Sequence, residues 1–320
     1  MSLMLASTAA MSQAAHTGLG PAGGYNVYVL GDNTQAGSDI QNGIAVGGNF
    51  ITAGTTVAGN VIVGGQYSNN GNTISGNVIA NSANINNPTI TGTLSTVGNT
   101  QLTGGGSVGG GVFYGGTYTG LGYITRTQVS PASVVYPFSF AEANSYLTSL
   151  ASGLHGLGAS AGTSVTGGAG NQLKLTGSGA DTYVFKITAD QLTNMNDFLL
   201  SVSGLTTTPT VVIDVTGTGN VSIHNNALTL SGTDNAHVLF NFADATGVTF
   251  NGIGFNGTML APNAAVNFSG NINGTLIAGS LSGPGEAHNY LFTGTLPNVP
   301  EPASLGLLAV GATALLRRRR

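Results

Sequence analysis

The sequence contains no cysteine, and only 6% of its 320 residues are charged. The absence of cysteine excludes disulfide bonds and thiolate metal sites, so the stability of the chain has to come from burial and backbone pairing. Basic residues are fewer than acidic ones, seven against eleven. Four of the seven end the chain, which leaves Arg126, Lys174 and Lys186 in the body. So few cations cannot neutralise a phosphate backbone, and nucleic-acid binding is not expected.

Glycine is abundant instead, with 52 residues. A glycine-rich chain of low charge is either disordered or built from stacked β-coils with many turns. Apolar residues at regular positions favour the second interpretation.

The apolar positions recur every 17 residues near the start of the chain. Three segments align without a gap: SDIQNGIAVGG (38–48), TTVAGNVIVGG (55–65) and NTISGNVIANS (72–82). The alignment puts two sets of aliphatic residues in register: Ile40, Val57 and Ile74, and Ile44, Val61 and Val78. Much later, FNGTMLA (255–261) and INGTLIA (272–278) are again offset by 17. Because so short a unit must bury its apolar face against the next copy, the repeat predicts an all-β-dominated fold, a parallel β-helix or solenoid.

One long helix interrupts the β-pattern. Ser139 and Glu142 form a capping box, and apolar residues then follow at helical intervals. They are Phe140, Ala143, Leu147, Leu150, Leu154 and Leu157. We expect the helix 139–157 to lie along the flank of the solenoid, because this is the only large surface that can bury its apolar stripe.

The segments around this helix are less regular. Residues 101–123 are dominated by glycine, which predicts a loop or the loose end of the first array. Strands are predicted at 172–176, 181–187 and 210–215, and a short helix at 190–200. From residue 238 the chain returns to coiled β-structure, a second array that we expect to stack beside the first.

Both termini have the character of sorting signals. Residues 1–15, MSLMLASTAAMSQAA, are typical of the apolar core and cleavage region of a signal peptide, with cleavage near Ala14 or Ala15. They lack a basic start, so we expect the true start codon upstream; a frayed apolar tail is the alternative. At the other end, the apolar run 303–316 spans about 21 Å, short of the ~30 Å hydrocarbon core. The arginines that follow it should stay cytoplasmic, which places the body across the membrane.

The C-terminal residues resemble the PEP-CTERM sorting signal of Gram-negative bacteria. Its parts are Pro300, Glu301 and Pro302, then the apolar run, then Arg317, Arg318, Arg319 and Arg320. The resemblance implies an exported protein that an exosortase-type enzyme processes, with residues 297–320 as the signal. A plain tail anchor is the alternative.

The body, about residues 25–296, resembles the choice-of-anchor A domain. Five segments carry this resemblance: YNVYVLGDNTQAGSDIQNGIAVGGNF (25–50), VLFNFADATGVTF (238–250), GTMLAPNAAV (257–266), INGTLIAGSL (272–281) and GEAHNYLFTG (285–294). The family implies an extracellular adhesive module with a β-helix-like fold and no known ligand. The architecture is similar, more distantly, to the discontinuous solenoid with a long helix of bacterial ice-binding proteins.

No motif points to catalysis or to a cofactor. Residues 18–23 fit the GxGxxG pattern of dinucleotide-binding loops, but they precede a strand instead of following one. Residues 105–109 fit the GxSxG pattern of a nucleophile elbow, but no strand-turn-helix surrounds them. Glu286 and His288, with Asp244 or His237, could hold a metal, although a polar patch is the better interpretation. Asp32, Asn33 and Asp39 could hold calcium, but their spacing matches no calcium loop, and such residues more often stabilise turns. We therefore expect neither metal nor cofactor.

The many asparagines have two possible uses. They can form ladders at solenoid corners, or line a flat face that binds sugars or ice. The sequence predicts a surface-anchored structural or adhesive protein of the cell envelope or biofilm matrix, which is not an enzyme and binds extracellular polysaccharide or a neighbouring surface. A polysaccharide-acting β-helix enzyme is the alternative, although three basic residues are a poor supply for a lyase. Ice binding ranks lower, because Thr206–Thr208 and Thr216–Thr218 do not recur at 17.

Overall fold

The computed structural model describes residues 18–168, 170–205, 208–224 and 228–299. Within them the chain forms a mainly parallel β-solenoid, in which most strands pair with a strand of the next coil and four strands form a separate sheet. The predicted rows are confirmed, since Ile44, Val61 and Val78 are paired in register and fully buried. The predicted signal peptide, the PEP tripeptide and the apolar run with its arginines lie outside the described residues.

Sixteen strands form the first array. In chain order they are β1 (Val27–Val29), β2 (Asn33–Ala36), β3 (Asp39–Ile40), β4 (Ile44–Val46), β5 (Phe50–Ala53), β6 (Thr56–Val57), β7 (Val61–Asn70), β8 (Thr73–Ile74), β9 (Val78–Asn86), β10 (Thr89–Ile90), β11 (Leu94–Thr96), β12 (Thr100–Thr103), β13 (Ser107–Val108), β14 (Val112–Tyr114), β15 (Tyr118–Gly120) and β16 (Arg126–Gln128). The coil has three sides, which begin with β1, β2 and β3 and are called the first, second and third side.

The rest of the chain adds helix α1 (Phe140–His155), helix α2 (Ala189–Thr193) and twelve strands. The strands are β17 (Thr163–Thr166), β18 (Gln172–Ser178), β19 (Thr182–Thr188), β20 (Asp197–Ser203), β21 (Thr210–Thr216), β22 (Gly219–His224), β23 (Leu228–Ser231), β24 (Val238–Asn241), β25 (Ala245–Asn256), β26 (Thr258–Asn273), β27 (Leu276–Ser282) and β28 (Glu286–His288). Short 3-10 helices lie at Gly20–Gly24, Pro131–Ser133 and Asn235–His237. Among the described residues, no helix is long and apolar enough to cross a membrane.

The corner between the second and third sides requires left-handed backbone. Gly37, Gly54 and Gly71 lie there one coil apart, with φ of 65°, 60° and 70°. Asn87 takes the same position in the next coil with φ of 51°, and Gly104 follows with 73°. Asparagine tolerates this conformation better than other side chains that carry a Cβ, as expected from the sequence. The same left-handed corner thus recurs in five successive coils.

The two arrays form one continuous rod. β1 pairs with β4 on one edge and with β27 on the other, so the first coil lies between the second coil and the last one. The prediction that the second array stacks beside the first was wrong, because the arrays meet end to end. The pairing gives the edge of the first coil backbone partners that a side-by-side arrangement would not supply.

Helix α1 covers the first side. Ser139 begins it by accepting a hydrogen bond from the Glu142 backbone N–H. Its buried residues, among them Leu147 and Leu154, contact a row of apolar side chains that point outward from the first side. That row comprises Leu260, Ile277, Tyr28, Ala45 and Ile62. Because the helix covers this side, the second and third sides remain as the long exposed strand surfaces.

Two local predictions were wrong. Residues 101–123 are not a loop, because β12, β13, β14 and β15 continue the coils there. The residue offset between paired strands rises to 18 in this region, as in Leu94 beside Val112, and glycine leaves few apolar side chains to reveal the pattern. The helix predicted at 190–200 ends at Thr193, and β20 follows, since Phe198, Leu200 and Val202 alternate into the core.

Candidate ligand-binding face

A single row of outward side chains follows the second side over ten paired strand segments. In order along the rod they are Ser222, Thr249, Asn267, Ser282, Thr34, Ile51, Ser68, Asn84, Gln101 and Thr119. We call this set the polar row. At a strand spacing of about 4.8 Å it extends over about 43 Å. Nine of the ten side chains are polar and Ile51 is apolar; none is charged, and all are at least partly exposed.

Part of the polar row has free hydrogen-bonding capacity, whereas Asn267 Nδ2 donates to Ser282 Oγ at 3.1 Å. In the part of the chain that the structure describes, the side chains of Thr34, Asn84 and Gln101 make no hydrogen bond to the protein. The neighbouring outward row differs, because Asn86 Nδ2 donates to Asn70 Oδ1 at 2.8 Å and Thr103 Oγ1 donates to Asn86 Oδ1 at 3.2 Å. The polar row therefore offers amides and hydroxyls to a ligand, while the row beside it is occupied with internal bonds.

Other asparagines form the corner ladders that the sequence predicts. Asn49 Oδ1 accepts from the Gln66 backbone N–H at 2.9 Å, and Asn60 Oδ1 accepts from Asn77 N–H at 2.8 Å. Asn77 Oδ1 in turn accepts from Thr93 N–H at 2.9 Å. Each side chain thus binds the backbone of the next coil. These asparagines stabilise the stack. Their amide oxygens already accept backbone hydrogen bonds, so they are less available to a ligand than the side chains of the polar row.

A third group of amides lies inside the coils. Asn69 and Asn72 donate to the Tyr67 hydroxyl at 2.9 and 3.2 Å. Burial raises the pKa of Tyr67 to about 12 despite these two donors, so the phenol stays neutral and keeps its proton. This interior network satisfies polar groups that the core encloses and offers nothing to a ligand.

The residues considered for calcium do not converge. Asp32 Oδ1 accepts from the Asn49 backbone N–H at 2.7 Å, which makes it a member of a corner ladder. Asn33 is buried and donates to Gln35 Oε1 at 2.9 Å. Asp39 points outward from the third side. The expectation that these side chains stabilise turns is not met either, because Asn33 and Asp39 lie within strands β2 and β3 and Asp32 bonds the backbone of the next coil.

The residues considered for a metal are also separated. His288 Nδ1 lies 2.7 Å from Asn273 Oδ1, and its Nε2 lies 3.7 Å from Glu286 Oε2. Asp244 pairs instead with His155, and His237 pairs with Asp234. Over the described ranges, no group of three or more His, Asp or Glu side chains is placed to hold a metal. The polar-patch interpretation fits this geometry.

Sequence reasoning missed a row of threonines on the third side. Thr56, Thr73, Thr89 and Ser107 are paired in register and exposed, with Asp39 next in line. We call these four residues the threonine row. The sequence contains a signal for this row, because Thr56 and Thr73 are 17 residues apart and Thr89 follows after 16. Only Thr206–Thr208 and Thr216–Thr218 were considered from the sequence, and this recurrence was therefore overlooked.

A buried charge cluster was missed as well. Lys186, Asp214 and Asn241 pair in register on the first side, under the last turn of α1. The Asp214 side chain is fully buried, and its Oδ2 lies 2.9 Å from Lys186 Nζ and 3.0 Å from His155 Nδ1. His155 Nε2 lies 3.3 Å from Asp244 Oδ2. The cluster fixes the C-terminal end of the helix to the solenoid.

Comparison with known proteins identifies the family of this domain. Residues 18–289 match the model of the family described as "Putative Ice-binding-like adhesive domain". The chain belongs to this adhesive-domain family. The resemblance to choice-of-anchor A domains is consistent with that membership. Residues 298–320 match the PEP-CTERM protein-sorting motif, so the adhesive domain is joined to a signal for export to the cell surface and for processing by an exosortase-type enzyme.

Solved structures similar to the adhesive domain include three ice-binding proteins. One from an Antarctic biological consortium is 15% identical, covers 90% of this chain and 94% of its own, and has a TM-score of 0.36. One from the ascomycete Antarctomyces psychrotrophicus is 14% identical, with coverage of 88% and 98% and a TM-score of 0.33. One from an Arctic yeast is 13% identical, with coverage of 88% and 94% and a TM-score of 0.27. No curated protein sequence matches the chain.

Proposed function

We propose that the chain is a surface adhesin of a Gram-negative cell envelope or biofilm matrix, and that the polar row binds a neutral extracellular polysaccharide or a neighbouring surface. The observation that carries this proposal is the polar row itself, with unpaired amides and hydroxyls at regular intervals on a rigid face. Each contact is weak, but contacts along one extended chain act together, since the first one raises the effective concentration for the rest. A ligand without charge fits a row without charge.

Replacing Thr34, Asn84 and Gln101 together by alanine is expected to weaken binding to immobilised neutral polysaccharides by about 100-fold. Each lost hydrogen bond contributes about 1 kcal/mol, and about 1.4 kcal/mol corresponds to a factor of ten. Binding curves on a glycan array measure the effect. The matched control replaces Thr56, Thr73 and Thr89 of the threonine row by alanine, which leaves the second side intact. Equal losses in both variants would contradict a role specific to the polar row.

Ice binding is the second candidate, and the threonine row favours it. The row is short, and the next side chain in line is the carboxylate of Asp39, which ends the series of hydroxyls. The same two triple variants separate the candidates. Thermal hysteresis that disappears only in the threonine-row variant would select ice binding over polysaccharide binding.

We also propose that the chain is not an enzyme. A lyase acting on acidic polysaccharide needs cations to offset the substrate carboxylate. Of the three cations in the body, Lys186 is bound to Asp214 and Arg126 lies over the Tyr118 ring, 5.0 Å from its centroid. Unsaturated products after incubation with acidic polysaccharides would contradict this proposal and support the β-helix enzyme.

Removing residues 300–320 is expected to release most of the protein into the culture medium, because the sorting signal holds it at the envelope. Immunoblots of supernatant and envelope fractions measure the shift. Glu301→Ala separates sorting from plain anchoring, since it leaves the apolar run and the arginines unchanged. A sorting signal predicts that this variant accumulates unprocessed, whereas normal processing of it would favour a plain tail anchor.

A further inference from the structure

A groove interrupts the third side, where the regular pairing of coils fails. On the first and second sides of this region the ladders are continuous, from β21 to β24 and from β22 to β25. On the third side, β23 pairs with β20 and belongs to a separate four-stranded sheet. In the described residues it forms no ladder with β25. The space between these strands is a groove of about 650 Å³, within the usual range for small-molecule sites.

One wall of the groove carries an exposed aromatic ring. Tyr290 lines the groove just after β28, and 49% of its surface is exposed. A tyrosine left this exposed on a chain of low charge offers a flat apolar face with a hydroxyl at its edge. A ligand with one apolar face and a polar rim can therefore stack on it.

The lining of the groove also carries planar polar groups. Asp234 and Asn235 line the groove, and the Asp234 side chain is 58% exposed. Asp234 Oδ1 accepts from the Ala236 backbone N–H at 3.0 Å and lies 2.6 Å from His237 Nδ1. These contacts fix the carboxylate and leave Oδ2 for a ligand. A carboxylate accepts two hydroxyl hydrogen bonds readily, and an amide both donates and accepts.

A side chain in the lining links the two strands that flank the groove. Asn256 Nδ2 donates to the Leu228 carbonyl at 2.7 Å, and its Oδ1 accepts from Asn273 Nδ2 at 2.7 Å. The amide thus bridges β25 and β23 directly. An extended peptide strand needs about 4.8 Å on each side of its backbone, so it could not run through this bridge. The occupant that fits is compact, or enters with only one end.

We infer that this groove binds a neutral pyranose unit of a saccharide chain, with the sugar stacked on Tyr290 and its hydroxyls bonded to Asp234 and Asn235. A pyranose has an apolar C–H face and a rim of hydroxyls, which match the ring and the planar groups. The lining contains a carboxylate and no cation among the described residues, which disfavours a uronic acid. The inference rests on the proposed polysaccharide function and adds a specific site to it, on a different side from the polar row.

The test uses isothermal titration of the purified full-length chain with cellohexaose, xylohexaose and mannohexaose, and with hexagalacturonate as the charged comparison. Tyr290→Ala is expected to weaken binding of the preferred neutral hexasaccharide by about tenfold or more, because the stacking face is lost. Tyr290→Phe keeps the face and should retain binding within about threefold. Tyr123→Ala is the matched control, since Tyr123 is also an exposed tyrosine but lies near the β16 end of the rod. It should bind like the unmodified chain.

Each outcome decides a separate question. Unchanged binding in Tyr290→Ala, with binding lost in the triple alanine variant of the polar row, would overturn the groove and leave the proposed function standing. Loss in Tyr290→Ala alone would support the groove and remove the polar row from the function. Tighter binding of hexagalacturonate than of the neutral sugars would overturn the neutral-sugar assignment. No binding of any saccharide would overturn the groove and the polysaccharide part of the proposed function, leaving a neighbouring surface as the ligand of the polar row.

Discussion

Deletion of residues 73–88 is expected to give a folded rod that is one coil shorter. The deletion joins Asn72 to Thr89, and Thr89 already lies beside Thr73 in the same position of the next coil. Val61 would then pair with Leu94, which keeps an inward aliphatic row unbroken. Because each coil contacts only its neighbours, the interfaces between the remaining coils are kept. The free energy of unfolding should therefore fall only by the contribution of one coil. Circular dichroism and size-exclusion chromatography measure whether the native β-content and a single compact species remain.

A smaller deletion is expected to do more damage. Removing residues 73–80 takes out about half a coil, so that the second-side part of β9 would have to follow directly on the corner at Asn72. Side chains that now point inward, such as Ile85, would then reach the wrong side of the coil. We expect this variant to be insoluble or largely unfolded. If it were as stable as the 73–88 deletion, the stacking of equivalent coils would not be what holds the rod together.

The anchoring of α1 gives this comparison an internal check. The Tyr136 hydroxyl donates to the Val63 carbonyl at 2.8 Å, on the β1 side of both deletions. The segment between β16 and α1 would have only about 5 Å less to span in the shorter rod. The helix should therefore remain docked in the 73–88 variant, and protection of its amides from hydrogen exchange reports this directly.

The sequence predicts those parts of the fold that depend on local, regular spacing. Ile44, Val61 and Val78 could be placed because three successive coils share one length and one apolar pattern. The same reasoning failed at residues 101–123, where the coil lengthens and glycine replaces the aliphatic markers. The junction of β1 with β27 joins residues about 250 positions apart, as in Val27 beside Leu276, and no repeat spacing connects them.

The candidate face was harder to predict than the core. Thr34, Ile51 and Ser68 are spaced by 17, but they share no side-chain type, so the alignment of identities does not reveal them. What they share is an outward direction, and this follows only from strand register. The groove at Tyr290 depends on a ladder that fails to form, which a repeat pattern cannot show.

The charge cluster illustrates the same limit at a single residue. Lys186 and Asp214 are 28 positions apart, and Asp214 and Asn241 are 27 apart, because coils in this part of the chain are longer than the 17-residue unit. An aspartate within the strand Thr210–Thr216 is the only local signal, since a buried strand rarely holds an unpaired carboxylate. The three-dimensional pairing explains it.

Lys186→Met is expected to lower the free energy of unfolding by about 3 kcal/mol. The substitution keeps most of the aliphatic stem but removes the ammonium, so Asp214 keeps its buried charge with only His155 and Asn241 as partners. Breaking a buried ion pair from one side costs far more than an exposed pair, because the remaining charge stays out of water. Urea unfolding followed by circular dichroism and by tyrosine fluorescence measures the change, and coincident curves establish that one transition is observed.

Two comparison variants make the Lys186 result specific. Lys174→Met removes an exposed lysine from β18 and should change stability by no more than about 0.5 kcal/mol. The double variant Lys186→Met with Asp214→Leu should recover most of the lost stability, since both charges leave together and Asn241 still donates to the Ala151 carbonyl at 2.9 Å. A double variant less stable than Lys186→Met would mean that Asp214 stabilises the helix end through His155 and Asn241 more than its burial costs.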